Sequence, residues 1–111
     1  GSYVGHAAAD GPFVYCGFRP KYLLIKTSVS AANAWYIHDA ARDTYNQMTH
    51  KLYPDVSTAE NTAADNMIDF TANGFKVRSA NTSTNDTNTM IFAAFAEFPF
   101  GGSNVAPSPA R

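Results

Sequence analysis

Hydrophobic residues in this chain fall in short runs between polar loops, and the runs alternate with a period near two rather than 3.6. Residues 12–18 carry Phe13, Val14, Tyr15 and Phe18. Arg19-Pro20 ends the run, because proline cannot donate to a central ladder. Residues 21–27 predict a second strand, in which Lys21 and Lys26 bracket Tyr22-Leu23-Leu24-Ile25, so its middle is expected to be buried on both faces. Residues 34–39 predict a third. Alternation sets Trp35, Ile37 and Asp39 on one face and Tyr36 and His38 on the other, with Trp35 and Ile37 toward the core. Residues 67–70 and 74–78 read as a hairpin around Thr71-Ala72-Asn73-Gly74, because Asn and Gly both tolerate positive φ. Phe75 and Val77 point one way and Lys76 and Arg78 the other, which leaves that strand a wet face. The run Met90-Ile91-Phe92-Ala93-Ala94-Phe95-Ala96 is wholly apolar and predicts a central strand over residues 89–98, buried on both faces. Trp35, Phe75, Phe92 and Phe95 are expected in the core.

Between these runs, residues 1–11 read as a lead-in or first strand, and residues 28–33 as a polar turn. Residues 40–64 have few apolar anchors (Tyr45, Met48, Leu52, Tyr53, Val56) and no helical period, so they predict a long loop with one short strand near residues 51–53. At its start, Asp39-Ala40-Ala41-Arg42-Asp43 could close one helical turn. Residues 79–88 hold no large apolar side chain and predict a solvated loop. The sum is an all-β chain: an antiparallel β-sandwich of about six or seven strands with long polar loops. Residues 1–100 form the sandwich module, and residues 101–111, rich in Gly, Ser, Pro and Ala, form a flexible tail.

Composition narrows the function. Hydrophobic residues make up 45% and charged residues 15% of 111 positions, the balance of one folded domain. A formal net charge of −1 offers no basic field for a phosphate backbone, which argues against nucleic acid. No apolar run approaches the roughly 18 residues needed to insert across a bilayer. Residues 1–10 have neither the basic start nor the apolar centre of a signal peptide. Cys16 is the one cysteine; it has no partner for an intramolecular disulfide and is expected to be a buried, inert thiol.

Candidate chemistry is sparse. His6, His38 and His50 lack helical ligand spacing, so no zinc site and no cofactor is expected. The spacing of Asp39, Asp43, Asp65 and Asp69 favours solvated or capping carboxylates over a glycosidase pair, so the chain is not expected to be an enzyme. Asp39 and Arg42 stand at i,i+3. Either they form an ion pair that fixes the loop, or Arg42 grips a ligand carboxylate or sugar hydroxyl. Tyr36, His38, Tyr45, His50 and Tyr53 are a polar-aromatic set, and Asn46 lies among them. Such rings stack on sugar C–H surfaces, or else close a sandwich edge or subunit interface. In residues 79–88, Asn85 stands for a set of amides and hydroxyls that either make adaptable hydrogen bonds to a ligand or form an inert tip.

One resemblance runs through the chain. Asp10-Gly11-Pro12-Phe13-Val14-Tyr15, Gly17-Phe18-Arg19-Pro20 and Leu24-Ile25-Lys26 are followed by Trp35-Tyr36-Ile37-His38-Asp39, Asn73-Gly74-Phe75-Lys76-Val77-Arg78 and Ala94-Phe95-Ala96-Glu97. This ordered set, over roughly residues 3–100, resembles a module of bacteriophage tail-fibre and other virion proteins. The resemblance implies a place on the virion, near the distal end of a trimeric fibre or spike, and a part in recognising the host. The implied partners are a host cell-surface glycan or outer-membrane receptor, neighbouring fibre domains, and like copies in a homotrimer. It implies no catalytic residue. Cys16 stands where a small hydroxyl residue is expected, and residues 47–50 and 79–88 match nothing in the family. Two readings follow: a receptor-binding module, or a structural fibre module with no external ligand.

Overall fold

In the computed structural model, residues 1–108 are described, and the hydrophobic alternation resolves into short strands. In chain order these are β1 (Ser2–Val4), β2 (Phe13–Tyr15), β3 (Pro20–Thr27), β4 (Tyr36–Asp39), β5 (Ile68–Thr71), β6 (Gly74–Val77), one helical turn α1 (Thr82–Asn85), and β7 (Thr89–Ala96). Among the described residues they form two antiparallel sheets, one in the order β1-β7-β3-β4 and one in the order β2-β6-β5. This is the all-β sandwich that the pattern predicts.

Register decides which side chains meet. Leu23 and Ile25 of β3 lie opposite His38 and Tyr36 of β4 and opposite Ala94 and Phe92 of β7. Opposed residues share a face, so this row is the inner face of the larger sheet. Val14, Phe75, Val77, Ile68 and Phe70 come from the smaller sheet, and together with Leu23, Ile25 and Met90 they close the core. Each such side chain contributes about 1.5–3 kcal/mol by leaving water. Tyr3 of β1, Phe92 of β7 and Phe75 of β6 meet edge-on across the gap, with Phe75 5.7 Å from Tyr3 and 5.2 Å from Phe92 between centroids.

Four expectations change. In β4 the inner residues are Tyr36 and His38, while Trp35 and Ile37 are only half-buried. All four side chains are large, so alternation alone could not choose the face; pairing with Leu23 and Ile25 does. β3 and β7 are each buried on one face, not two. Leu24, Ile91, Ala93 and Phe95 point away from the core, and Phe95 is 62% exposed. Val4 joins that outer face at 60% exposure. Residues 79–88 are not a solvated loop: Ser83, Thr84 and Asn85 are buried in and around α1. Near residues 51–53 the short strand reduces to isolated bridges, Leu52 to Ile37 and Lys51 to Asn61. Residues 102–105 close a tight turn through Gly102 and Val105, with Asn104 at φ 63°. The Ser108 amide returns to the Pro99 carbonyl at 3.3 Å. The rest of the predicted tail, residues 109–111, lies outside the described residues.

The hairpin of β5 and β6 forms as expected, but for a different reason. Neither Asn73 nor Gly74 has a positive φ. Instead the Asn73 carbonyl accepts from the Cys16 and Gly17 amides at 2.9 and 3.0 Å, and β2 packs directly over Gly74. A Cβ there would stand 2.1 Å from the Val14 carbonyl oxygen. Gly74→Ala should therefore push β2 off β6 and cost about 3 kcal/mol, the upper range for overpacking. Urea unfolding checks this; an unchanged midpoint would show that β2 yields freely.

Candidate functional site

The long connection between β4 and β5, residues 40–67, has almost no regular structure, yet it is held at many points. It starts with one helical turn, closed by the Asp43 amide on the Asp39 carbonyl at 3.2 Å. The Asp39 carboxylate caps that turn by accepting from the Ala41 and Arg42 amides at 3.1 and 2.9 Å. Asp43 then accepts from the backbone amides of Thr49 and His50, folding residues 43–50 into a closed loop. Asn46 acts as a strand substitute: its amide donates to the Phe70 carbonyl at 2.8 Å, and its oxygen accepts from the Phe70 amide at 3.0 Å. Met48 bridges to Ile68 and Leu52 to Ile37, which fastens the loop to both sheets.

A buried cation completes the clamp. Lys51 is fully buried, and its ammonium donates to the Ala63 carbonyl at 2.9 Å and to the Asp65 carboxylate. Burial resists the charged form of Asp65, but the hydrogen bond and charge of Lys51 hold its carboxyl below the ordinary range. An ammonium without water needs such partners, since an unpaired buried charge is far costlier than an unpaired dipole.

Against this frame the expected ligand residues separate. Tyr45 is 82% exposed at the tip of the clamped loop. His50 is part-exposed, with Nδ1 3.9 Å from a Glu60 carboxylate oxygen. Tyr53 is half-buried and packs edge-on against Tyr36, 5.3 Å between centroids. Asn46 is exposed, but its amide is spent on Phe70. Arg42 is spent too: its guanidinium binds Asp39, Glu60 and the Ile37 carbonyl, so it serves as the ion pair that fixes the loop.

Three of the expected contacts are corrected by burial. Tyr36 is an inner-face core residue. His38 is fully buried behind Lys51, with neither ring nitrogen hydrogen-bonded among the described residues, so it reaches no external ligand. Asn85 is fully buried as well. Its amide donates to the Ala8 and Ser79 carbonyls at 2.8 and 2.7 Å, and its oxygen accepts from the His6 amide at 2.9 Å. It is a structural staple between residues 6–8 and α1. What survives as candidates on this connection are Tyr45, His50 and the exposed part of Tyr53, phenols and an imidazole that can stack and hydrogen-bond, while Glu60 is held by Arg42. Among the described residues no group of three or more His, Cys, Asp or Glu side chains is placed to hold a metal ion, and no helix is long and apolar enough to cross a membrane.

Sequence reasoning passed over two of the loop's organisers, Lys51 and Glu60, because a charged residue in a polar segment reads as solvated; Asp43 takes the capping role that was one reading of its carboxylate. It also passed over a pocket of about 390 Å³ beside β1, lined by Val14, Cys16, Phe18, Phe92 and Ala94. Cys16 is buried there, as its apolar neighbours suggest. The family model described as a domain of unknown function, DUF7483, matches residues 1–99. No curated protein and no solved structure matches the chain.

His38 gives this region a pH dependence. Burial first, then the charges of Lys51 and Arg42, lower its imidazole from 6.5 to about 4. The unfolded chain takes up the proton first as pH falls, so stability is whole above about pH 6.5 and drains away toward about pH 4. The full loss is about 3 kcal/mol. His38→Leu leaves no nitrogen unpaired and should be at least as stable at neutral pH. Urea unfolding from about pH 7 to about pH 4.5 should show most of the loss in the unaltered chain and little in the variant. Equal losses in both would remove His38 as the cause.

Proposed function

We propose that this chain, which belongs to the DUF7483 domain family over residues 1–99, is a non-enzymatic surface-recognition module of a bacteriophage tail fibre. It would be exposed on the virion and touch a host glycan or outer-membrane receptor through the loop between β4 and β5. The observation that carries this reading is Tyr45: a phenol 82% exposed on a loop pinned at Asn46, Met48 and Leu52. A large ring left in water on a flexible loop would lose much of its binding to ordering entropy, whereas a pinned one is pre-organised. Its face suits the C–H surface of a sugar, and the part-exposed His50 of the same connection suits the hydroxyls. The virion placement comes from the family resemblance in the sequence.

A second reading has its own support. The outer face of the larger sheet carries Val4, Leu24, Ile91, Ala93 and Phe95, an apolar surface of the kind that marks an interface. A structural module that packs against neighbouring fibre domains, or against like copies in a homotrimer, would cover it.

Retention of labelled protein on a bacterial glycan array and on intact bacterial cells tests the first reading. Tyr45→Ala should cut retention about tenfold or more while leaving stability within about 0.5 kcal/mol, as for other exposed substitutions. Sedimentation equilibrium tests the second: Phe95→Lys should dissociate any assembly formed through the outer face. No retention by an assembled protein that Phe95→Lys dissociates would move the function from recognition to fibre building.

A further inference from the structure

The connection between β4 and β5 closes over a group that has nothing to bond. His38 is fully buried on the inner face of β4, and among the described residues neither of its ring nitrogens has a hydrogen-bond partner. Leu23 lies opposite it on β3 and carries no charge. The charged groups that face it come from the connection: Lys51, Arg42 and Asp43, with the His50 backbone alongside. Two of those three are cations. Asp43, the carboxylate, already accepts from the Thr49 and His50 amides. A proton on His38 therefore adds a cation to a dry space that an ammonium and a guanidinium already face, which is costly.

Which contact gives way follows from how each element is fastened. β4 is held to β3 by successive register pairs, from Tyr22 opposite Asp39 to Ile25 opposite Tyr36. The connection is fastened by isolated bridges at Met48, Lys51 and Leu52 and by side chains, Asn46 on Phe70 and Lys51 on Asp65. Segments with few ladder bonds open at lower free energy than the sheet they rest on. The ion pairs around them outlast mild acid. Burial resists the charged forms of Asp39 and Asp65, but bonds to Arg42 and Lys51 hold both carboxyls below the ordinary range.

We propose that His38 is an acid-sensitive latch: its protonation releases residues 43–52 from the sheets while the sandwich stays folded. Lifting the connection lets water reach the imidazole and separates it from Lys51. The open form then binds the proton more tightly than the closed one, so opening rises as pH falls. An imidazole lowered to about 4 in the closed form and ordinary at 6.5 in the open form favours opening about twentyfold more at about pH 5 than at about pH 7. The effect differs from an overall loss of stability because it is confined to one segment. On the reading that Tyr45 contacts a host surface, acid loosens that contact; the latch itself is read without any ligand.

Native-state amide exchange of the whole chain, with intrinsic rates divided out, tests the latch. Protection at Met48, Thr49, His50 and Leu52 should fall about twentyfold from about pH 7 to about pH 5, and should respond little to low urea, the mark of a local opening. Val77 and Ser28, whose amides donate to the Pro12 and Thr89 carbonyls, should stay better protected and weaken with urea. His38→Leu should remove the pH effect at the loop amides, and His38→Met should do so with a different side chain. His50→Gln, which alters the other imidazole of the connection, should leave it in place. Loop amides as sensitive to urea as Val77 would overturn local release. No pH effect, one that survives both His38 variants, or one that vanishes with His50→Gln overturns His38 as the latch.

Discussion

Phe75 joins the two halves of this molecule. It is fully buried on β6 of the smaller sheet and takes the edges of Tyr3 and Phe92 from β1 and β7 of the larger. Each such ring pair is worth about 0.5–1.5 kcal/mol beyond the area it buries. The consequence is larger than that figure, because β1 is short and is held chiefly by Tyr3. The same side chain sends its hydroxyl to the Thr84 carbonyl at 2.5 Å and thereby anchors α1.

Polar groups do inside this domain what additional strands would do in a larger one. Lys51 draws residues 63 and 65 inward, Asn85 ties residues 6 and 8 to α1, and Asn46 stands in for a strand beside Phe70. Thr84 adds a buried bond between side chains, donating to the Asn66 amide oxygen at 3.0 Å. The bonds of Lys51 to Ala63, of Asn85 to Ala8 and Ser79, and of Asn46 to Phe70 satisfy backbone groups that an irregular segment would otherwise leave unpaired. The cost is specificity of composition: a buried amide or ammonium tolerates no apolar replacement unless its partners change too.

The fold was legible where polar and apolar residues contrast. In β6, Phe75 and Val77 against Lys76 and Arg78 state both the strand and its inner face. In β4, Tyr36-Ile37-His38 offers no contrast, and only the register with Leu23 and Ile25 turns His38 inward. β7 is apolar throughout, which hides that one of its faces is open, because an apolar side chain reads the same against a core or a partner. Of the polar-aromatic set, Tyr45 and His50 stand at the surface, where their type alone could not place them. Side-chain type misled at Asn85, since an amide that staples a loop is spelled like one that binds a ligand, whereas Arg42 forms the loop-fixing ion pair with Asp39 that its spacing offered as one of two readings.

The clamped loop has a bearing on how this domain tolerates change. Asn46, Met48, Lys51 and Leu52 hold the frame, while Thr44, Tyr45, Gln47 and residues 56–59 stand in solvent between those fixed points. Substitutions at the exposed positions alter the displayed surface without touching the bonds that shape it. Frame and display are thus written in separate residues of one segment, as in antibody loops on their sandwich. A library varied at those solvent positions alone would keep one backbone and present many faces.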